Sequence, residues 1–186
     1  MLKKSLLLFA SLLTLTSCIA VENFGRYWEE ASVDRLLTGR WKKVQTSGLQ
    51  DPGMFGPIGT VLSIVEKNGA HEMSTSAVGP QGQVPRPLYP LKTIIAGDYK
   101  FIAAGPEKGY LIRYKLDRNE LRLCLGDGVI DFVRKNYSRA ANIGKNTGEG
   151  DYAQIKVMDR ETLEILAKVP DSEKYWFCES RFERVQ

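Results

Sequence analysis

The chain has 186 residues, with 26 Lys and Arg against 22 Asp and Glu, for a formal net charge of +4. Its basic residues are interspersed with acids and no basic run exceeds two residues. That argues against nucleic acid as a partner, which requires a concentrated basic face. The length suits one domain of ordinary size.

The chain opens on Lys3-Lys4, an apolar run from Leu6 to Leu15, and small residues up to Ser17. A short positive segment, an apolar core of about ten residues and a small-residue cut site predict a secretory signal peptide over 1–17. The run is too short to cross a bilayer, which takes about 20 residues. Leu15-Thr16-Ser17-Cys18 resembles the lipobox of bacterial lipoproteins. That resemblance implies cleavage before Cys18, a diacylglyceryl thioether on its sulfur and a fatty acyl group, such as palmitate, on its new amino terminus. Removal of 1–17 takes away Lys3 and Lys4 and no acid, so 169 residues with a net charge of +2 remain. No later apolar run is long enough to span a membrane, so attachment rests on the lipid, and several acyl chains hold firmly where one holds marginally. Ile19 stands where some enteric lipoproteins carry an inner-membrane retention Asp, which points to the outer membrane of the bacterial cell envelope. The expected organisation is a signal peptide over 1–17, a lipidated tether over 18–31 and one domain over 32–186. The tether aromatics Phe24, Tyr27 and Trp28 are expected to pack on that domain.

Ser32 reads as the N-cap of a helical turn over Val33–Leu37, closed by Thr38-Gly39. From Arg40 onward the pattern is β. Strands are expected at 40–46, 60–66, 71–78, 91–104, 110–116, 121–125, 129–135, 152–158 and 175–184. In 110–116 one face carries Tyr110, Ile112, Tyr114 and Leu116 and the other Arg113 and Lys115, with Leu111 as the exception. The break at 117–120 and the resumption at Leu121, Leu123 and Leu125 predict a hairpin with one wet face. Residues 156–163 echo 115–121, and Leu163, Ile165, Ala167 and Val169 read as another apolar strand face; convergent hairpin chemistry explains the echo better than duplication, because a repeat array needs at least three units. Nine or ten short strands and almost no helix predict an all-β fold, an antiparallel meander closed into a barrel or packed as a sandwich. Two proline- and glycine-bearing loops, 49–59 and 79–90, carry apolar tips at Met54, Phe55, Leu88 and Tyr89, which either cap a cavity or plug a barrel end. Residues 136–150 read as a polar loop.

Gly39-Arg40-Trp41 opens the first strand directly after the helical turn, and Arg184 closes the last one. This pairing resembles the lipocalin arrangement, in which a Gly-x-Trp on the first strand is covered by an Arg from the end of the barrel. The resemblance implies a lipocalin-like barrel of about eight to ten strands, with Gly39, Trp41 and Arg184 as the residues that close it. The Thr-Asp-Tyr type of motif found later in many lipocalins has no convincing match.

With Cys18 taken by lipid, Cys124 and Cys178 form an even pair in a compartment that permits disulfides. Sequence leaves open whether they are bridged or separately buried. His71 is the only histidine, with no nucleophile motif or metal-ligand spacing beside it, and neither Asp127 with Asp131 nor Glu29 with Glu30 reads as a split carboxylate pair. No enzyme, cofactor or metal site is expected. Two functions follow: a lipid-anchored lipocalin-like protein holding a small apolar or amphipathic molecule, or a solid barrel whose loops bind another envelope protein.

Overall fold

A computed structural model describes residues 19–46, 55–76, 78–79, 82–83, 90–106, 109–126, 128–137, 143–146 and 152–185. In chain order these form β1 (Ile19–Val21), α1 (Arg26–Glu30), a 3-10 turn (Arg35–Leu37), β2 (Gly39–Thr46), β3 (Val61–Lys67), β4 (Ala70–Ser76), and the two-residue β5 (Val78–Gly79) and β6 (Gly82–Gln83). There follow β7 (Pro90–Ala96), β8 (Tyr99–Ala104), β9 (Gly109–Asp117), β10 (Glu120–Leu125), α2 (Val129–Asn136), β11 (Ile143–Asn146), β12 (Tyr152–Ile155), α3 (Arg160–Lys168) and β13 (Phe177–Arg184).

Eight strands close on themselves in the order β2-β3-β4-β7-β8-β9-β10-β13, and β13 returns antiparallel to β2 with Arg184 opposite Trp41. This is an antiparallel, lipocalin-like barrel, whose shortest described seam joins β4 to β7 at His71–Leu91 and Glu72–Pro90. At one end the turns are tight. Asn68-Gly69, both at positive φ, joins β3 to β4, and Arg118 and Gly97 take positive φ in the turns that join β9 to β10 and β7 to β8. Two-residue hairpins of this kind match the right-handed twist of their strands. The 3-10 turn crosses the same end.

Alternation of side chains divides the apolar residues into two cores. Inside the barrel lie Trp41, Leu62, Ile64, Leu91, Ile102, Ile112, Tyr114, Leu121, Leu123, Leu125 and Phe182. On the outer wall lie Ile94, Ala96, Phe101, Ala103 and Leu111, covered by Ile19, Val21 and Phe24 from the amino-terminal segment and by Val129, Val133, Ile155, Ile165, Leu166 and Trp176 from the stretch between β10 and β13. Strand β1 pairs antiparallel with β9 and parallel with β12, and β12 in turn carries β11, so the barrel wall is extended by three strands. This explains the Leu111 exception: the outward face of β9 is buried at Leu111 and Arg113 and wet only from Lys115 onward.

Five expectations are corrected here. Residues 129–135 form α2, not a strand, because Val129, Ile130 and Val133 bury one helical face. Leu163–Val169 belongs largely to α3: the buried set is Thr162, Ile165, Leu166 and Val169, a period of three to four, and the Asp159 carboxylate caps the helix by accepting from the Thr162 N–H. The echo between 115–121 and 156–163 therefore joins a hairpin turn to a helix start. The tether of 18–31 is part of the fold from Ile19 onward, since Ile19, Val21 and Phe24 are buried and β1 has a neighbour on each side. Asp34, rather than Ser32, caps the helical turn, while Ser32 bridges to Thr93. Within 136–150, read as loop, Ile143–Asn146 is the strand β11.

Candidate functional site

Three residues singled out in the sequence meet at the tight-turned end. The Arg184 guanidinium lies 4.2 Å from the centre of the Trp41 ring. Its Nη1 donates to the Thr38 carbonyl at 2.9 Å and its Nη2 to the Leu36 carbonyl at 2.6 Å. Trp41 is fully buried, and its indole N–H donates to the Leu37 carbonyl at 2.8 Å. The guanidinium thus satisfies carbonyls that a short 3-10 turn leaves unpaired while its face rests on the indole. Gly39 makes room for it. Its φ is +140°, and a Cβ there would stand 2.8 Å from Arg184 Nη1. Glycine supplies both the conformation and the clearance.

Polar residues that sequence reading did not select complete this end. Asp34 accepts from Lys100 Nζ at 2.9 Å, from the Tyr114 hydroxyl at 2.7 Å and from the Leu36 N–H at 3.1 Å. Burial alone would raise the Asp34 pKa, but these hydrogen bonds and the Lys100 charge outweigh it and hold the carboxyl below its usual value. Tyr114 shifts the other way, its phenol pushed well above the usual value by burial and by its bond to Asp34. His71 is buried with Nε2 3.2 Å from Thr38 Oγ1, and burial lowers its pKa. The arrangement ties the segment ahead of β2 to the barrel floor. A signal for it existed in the alternation of β8 and β9, which turns Lys100 and Tyr114 inward on facing strands in register.

Above this floor the described interior is packed in its lower part, where Trp41, Leu62, Ile64, Leu121 and Phe182 are buried, while the inward-facing Met73, Thr75, Ala104 and Tyr110 toward the other end are partly accessible or exposed. Phe55, expected at a loop tip, instead enters the barrel and meets Phe182 edge-on at 6.1 Å between ring centres. The turn after it is pinned. Lys43, wholly buried, reaches the Gly56 carbonyl at 2.7 Å, and the Gly59 N–H donates to the Lys43 carbonyl at 2.8 Å. Ile58 stands exposed on that turn. An inward-facing Lys two residues after Trp41 was visible in the strand alternation, although nothing in sequence named its carbonyl partner. Met54, Leu88, Tyr89 and Cys18 lie outside the described residues.

On the outer wall, Cys124 and Cys178 are joined by a disulfide. They flank a β-bulge where two steps along β10 face three along β13. The bond closes the stretch carrying α2, β11, β12 and α3. Nearby, the buried Arg113 guanidinium stacks 3.8 Å from the Tyr99 ring centre and 5.2 Å from that of Trp176, with Nη1 3.0 Å from Asp171 Oδ1. Hydrogen bonds from Arg113 and Lys115 hold the Asp171 carboxyl below its usual value.

Among the described residues no cluster of three or more His, Cys, Asp or Glu is placed to hold a metal, and no helix is long and apolar enough to cross a membrane. No family model, curated protein or solved structure matches the chain.

Proposed function

We propose that this chain is a non-catalytic lipoprotein of the bacterial envelope, anchored at Cys18 to the outer membrane, whose solid lipocalin-like barrel presents pinned loops to another envelope protein. The observation that supports this reading is Phe55, which occupies barrel space edge-on to Phe182 above a floor packed around Trp41. His71, the only histidine, is taken up in the floor network rather than set beside a nucleophile. The contact surface in this reading is the rim that includes Ile58, because a turn held by Phe55, Lys43 and Gly59 loses little entropy on binding.

The reading in which the barrel holds a small apolar or amphipathic molecule requires Phe55 to withdraw from Phe182. Native mass spectrometry of protein purified from its own membrane tests both. Empty barrels, together with in-cell crosslinks from a photo-reactive residue at position 57 to one defined partner that Ile58→Asp abolishes, are the expected result. A co-purifying lipid or small amphiphile, released by Phe55→Trp, would overturn the solid-barrel reading in favour of the carrier.

A further inference from the structure

Ile19, the residue after Cys18, is already part of a strand, β1. Ile19 is 1% exposed, and it is held between Leu111 of β9 and the β12 strand that flanks β1. Its Cδ1 lies where a Cβ on Gly126 would stand 2.9 Å away. Consecutive Cα atoms are about 3.8 Å apart, and the headgroup layer of a bilayer is roughly 5–7 Å deep on each side of the hydrocarbon. A lipid on Cys18 would therefore leave no spacer between membrane and protein, and β1 could supply one only by giving up its pairing on both sides.

The surface beside this entry point has a matching character. Gly126 and Val129 pack against Ile19, and α2 runs on from them. Phe132 of α2 meets Tyr175 at 5.4 Å and Tyr137 at 6.0 Å, all three only partly buried. Lys174 Nζ lies 5.4 Å from the Tyr175 ring centre and Lys168 Nζ 5.8 Å from that of Tyr137. Arg134 and Lys135 are exposed on the last turn of α2; of the exposed acids close in sequence to the patch, Glu164 pairs with Arg160 and Asp171 with Arg113 and Lys115, which leaves Asp131 and Glu173. Amphipathic rings flanked by long basic side chains suit the boundary between headgroups and water, and a net positive patch suits anionic lipid.

We infer that the barrel lies flush on the bilayer holding its own anchor, with the α2 face, Tyr175 and Lys174 against the headgroups. This rests on Cys18 being lipidated, as proposed above. The entry point is on β9, which the strand order sets across the barrel from β2 and β3, whose connection carries Ile58.

The test uses the mature chain from Cys18, with Cys124–Cys178 oxidised, coupled through the Cys18 thiol to a maleimide lipid in vesicles of phosphatidylethanolamine and phosphatidylglycerol. Amide exchange at 129–137 and 174–176 is expected to slow severalfold relative to the protein without vesicles. A Gly/Ser spacer of about 15 residues between Cys18 and Ile19, with a mean reach of about 20 Å, is expected to restore the vesicle-free rate. Lys135→Glu with Lys174→Glu is expected to release the face without changing exchange in the barrel strands. Unchanged exchange at the α2 face, protection on another face, or loss of protection at 19–21 as β1 peels away would each overturn the inference. Mass spectrometry of Cys18 from native membranes tests the lipidation separately: an unmodified thiol there removes the anchor reading, while the vesicle result still reports whether this face favours lipid.

Discussion

The molecule holds two guanidinium–indole stacks, one inside the barrel and one outside it. Inside, Arg184 lies on Trp41 and spends both terminal nitrogens on the carbonyls of Thr38 and Leu36. Outside, Arg113 lies between Tyr99 and Trp176 and pairs with Asp171, whose side chain is 49% exposed, while Arg113 Nε and Trp176 Nε1 are buried without a hydrogen-bond partner. The inner stack is polar-satisfied and shares its end of the barrel with the Asp34 network. The outer one gains from the same ring-face attraction but leaves two donors unmet, each at a cost of about 1–3 kcal/mol. The two sites therefore differ in how they are held: the barrel floor is tied by hydrogen bonds from Arg184, Trp41 and the Asp34 network, and the cover over the outer wall depends on the disulfide and on β1.

That comparison breaks first at the indoles. Trp41→Ala is expected to cost about 3–5 kcal/mol as a large core truncation, read as a lower urea midpoint with the whole barrel losing exchange protection. Trp176→Ala should instead raise exchange in α2 and α3 before the barrel strands respond; a uniform loss in both variants would erase the distinction between the two cores. Removing the disulfide by Cys124→Ala with Cys178→Ala is expected to cost about 4 kcal/mol from loop closure across a separation of 54 residues. Proteolysis should then cut first between β10 and β13, and cutting first in the barrel hairpins would contradict the placement of the weaker region.

Smaller effects sharpen the inner site. Arg184→Ala should lower stability by about 2 kcal/mol, from the lost ring contact and two carbonyl partners. Arg184→Lys should recover little of it, because an ammonium cannot reach both carbonyls while lying flat on the ring. Gly39→Ala is expected to cost about 1–3 kcal/mol through its positive φ and the approach of Arg184. Thermal melts of the two single variants and the double variant with Arg184→Ala separate these causes, since the clash vanishes when the guanidinium is gone and the backbone strain does not.

The smallest expected effect is on pH dependence. The His71 pKa is depressed in the folded state, so the unfolded chain binds the proton first. Stability is then fully present above the ordinary imidazole value near 6.5 and falls as pH drops below it toward the folded value. His71→Gln should flatten that part of the curve. The depressed Asp34 carboxyl acts at lower pH, where stability falls below the ordinary carboxyl value of 3.8. Asp34→Asn should remove that limb and loosen the 3-10 turn.

Alternation made the barrel strands legible, because a strand with one face inward repeats every two residues whatever lies farther along the chain. The same test failed at 163–169, where a helix packed on the outer wall set Leu163, Ile165, Ala167 and Val169 at even spacing and the added burial of Leu166 and the Asp159 cap decide for helix, and at 129–135, where the buried Val129, Ile130 and Val133 follow a helical spacing. Gly39, Trp41 and Arg184 could be selected because a glycine and an indole close together and an arginine at the last strand form a recognisable chemical set. Asp34, Arg113 and Asp171 could not, since a charged residue in an exposed-looking pattern gives no sign of the partner that permits its burial.

Sequence by itself determined the signal-like amino terminus, the β alternation and the identity of Gly39, Trp41 and Arg184 at the barrel floor, all of which depend on recognisable residues or local order along the chain. Tertiary structure alone decided that Phe55 fills the barrel and that Cys124 meets Cys178. It also decided that β1 inserts between β9 and β12 and that α2 and α3 cover the wall. These depend on which distant segments exclude water from one another, and burial between residues 90 or 130 positions apart leaves no period in the sequence to be read.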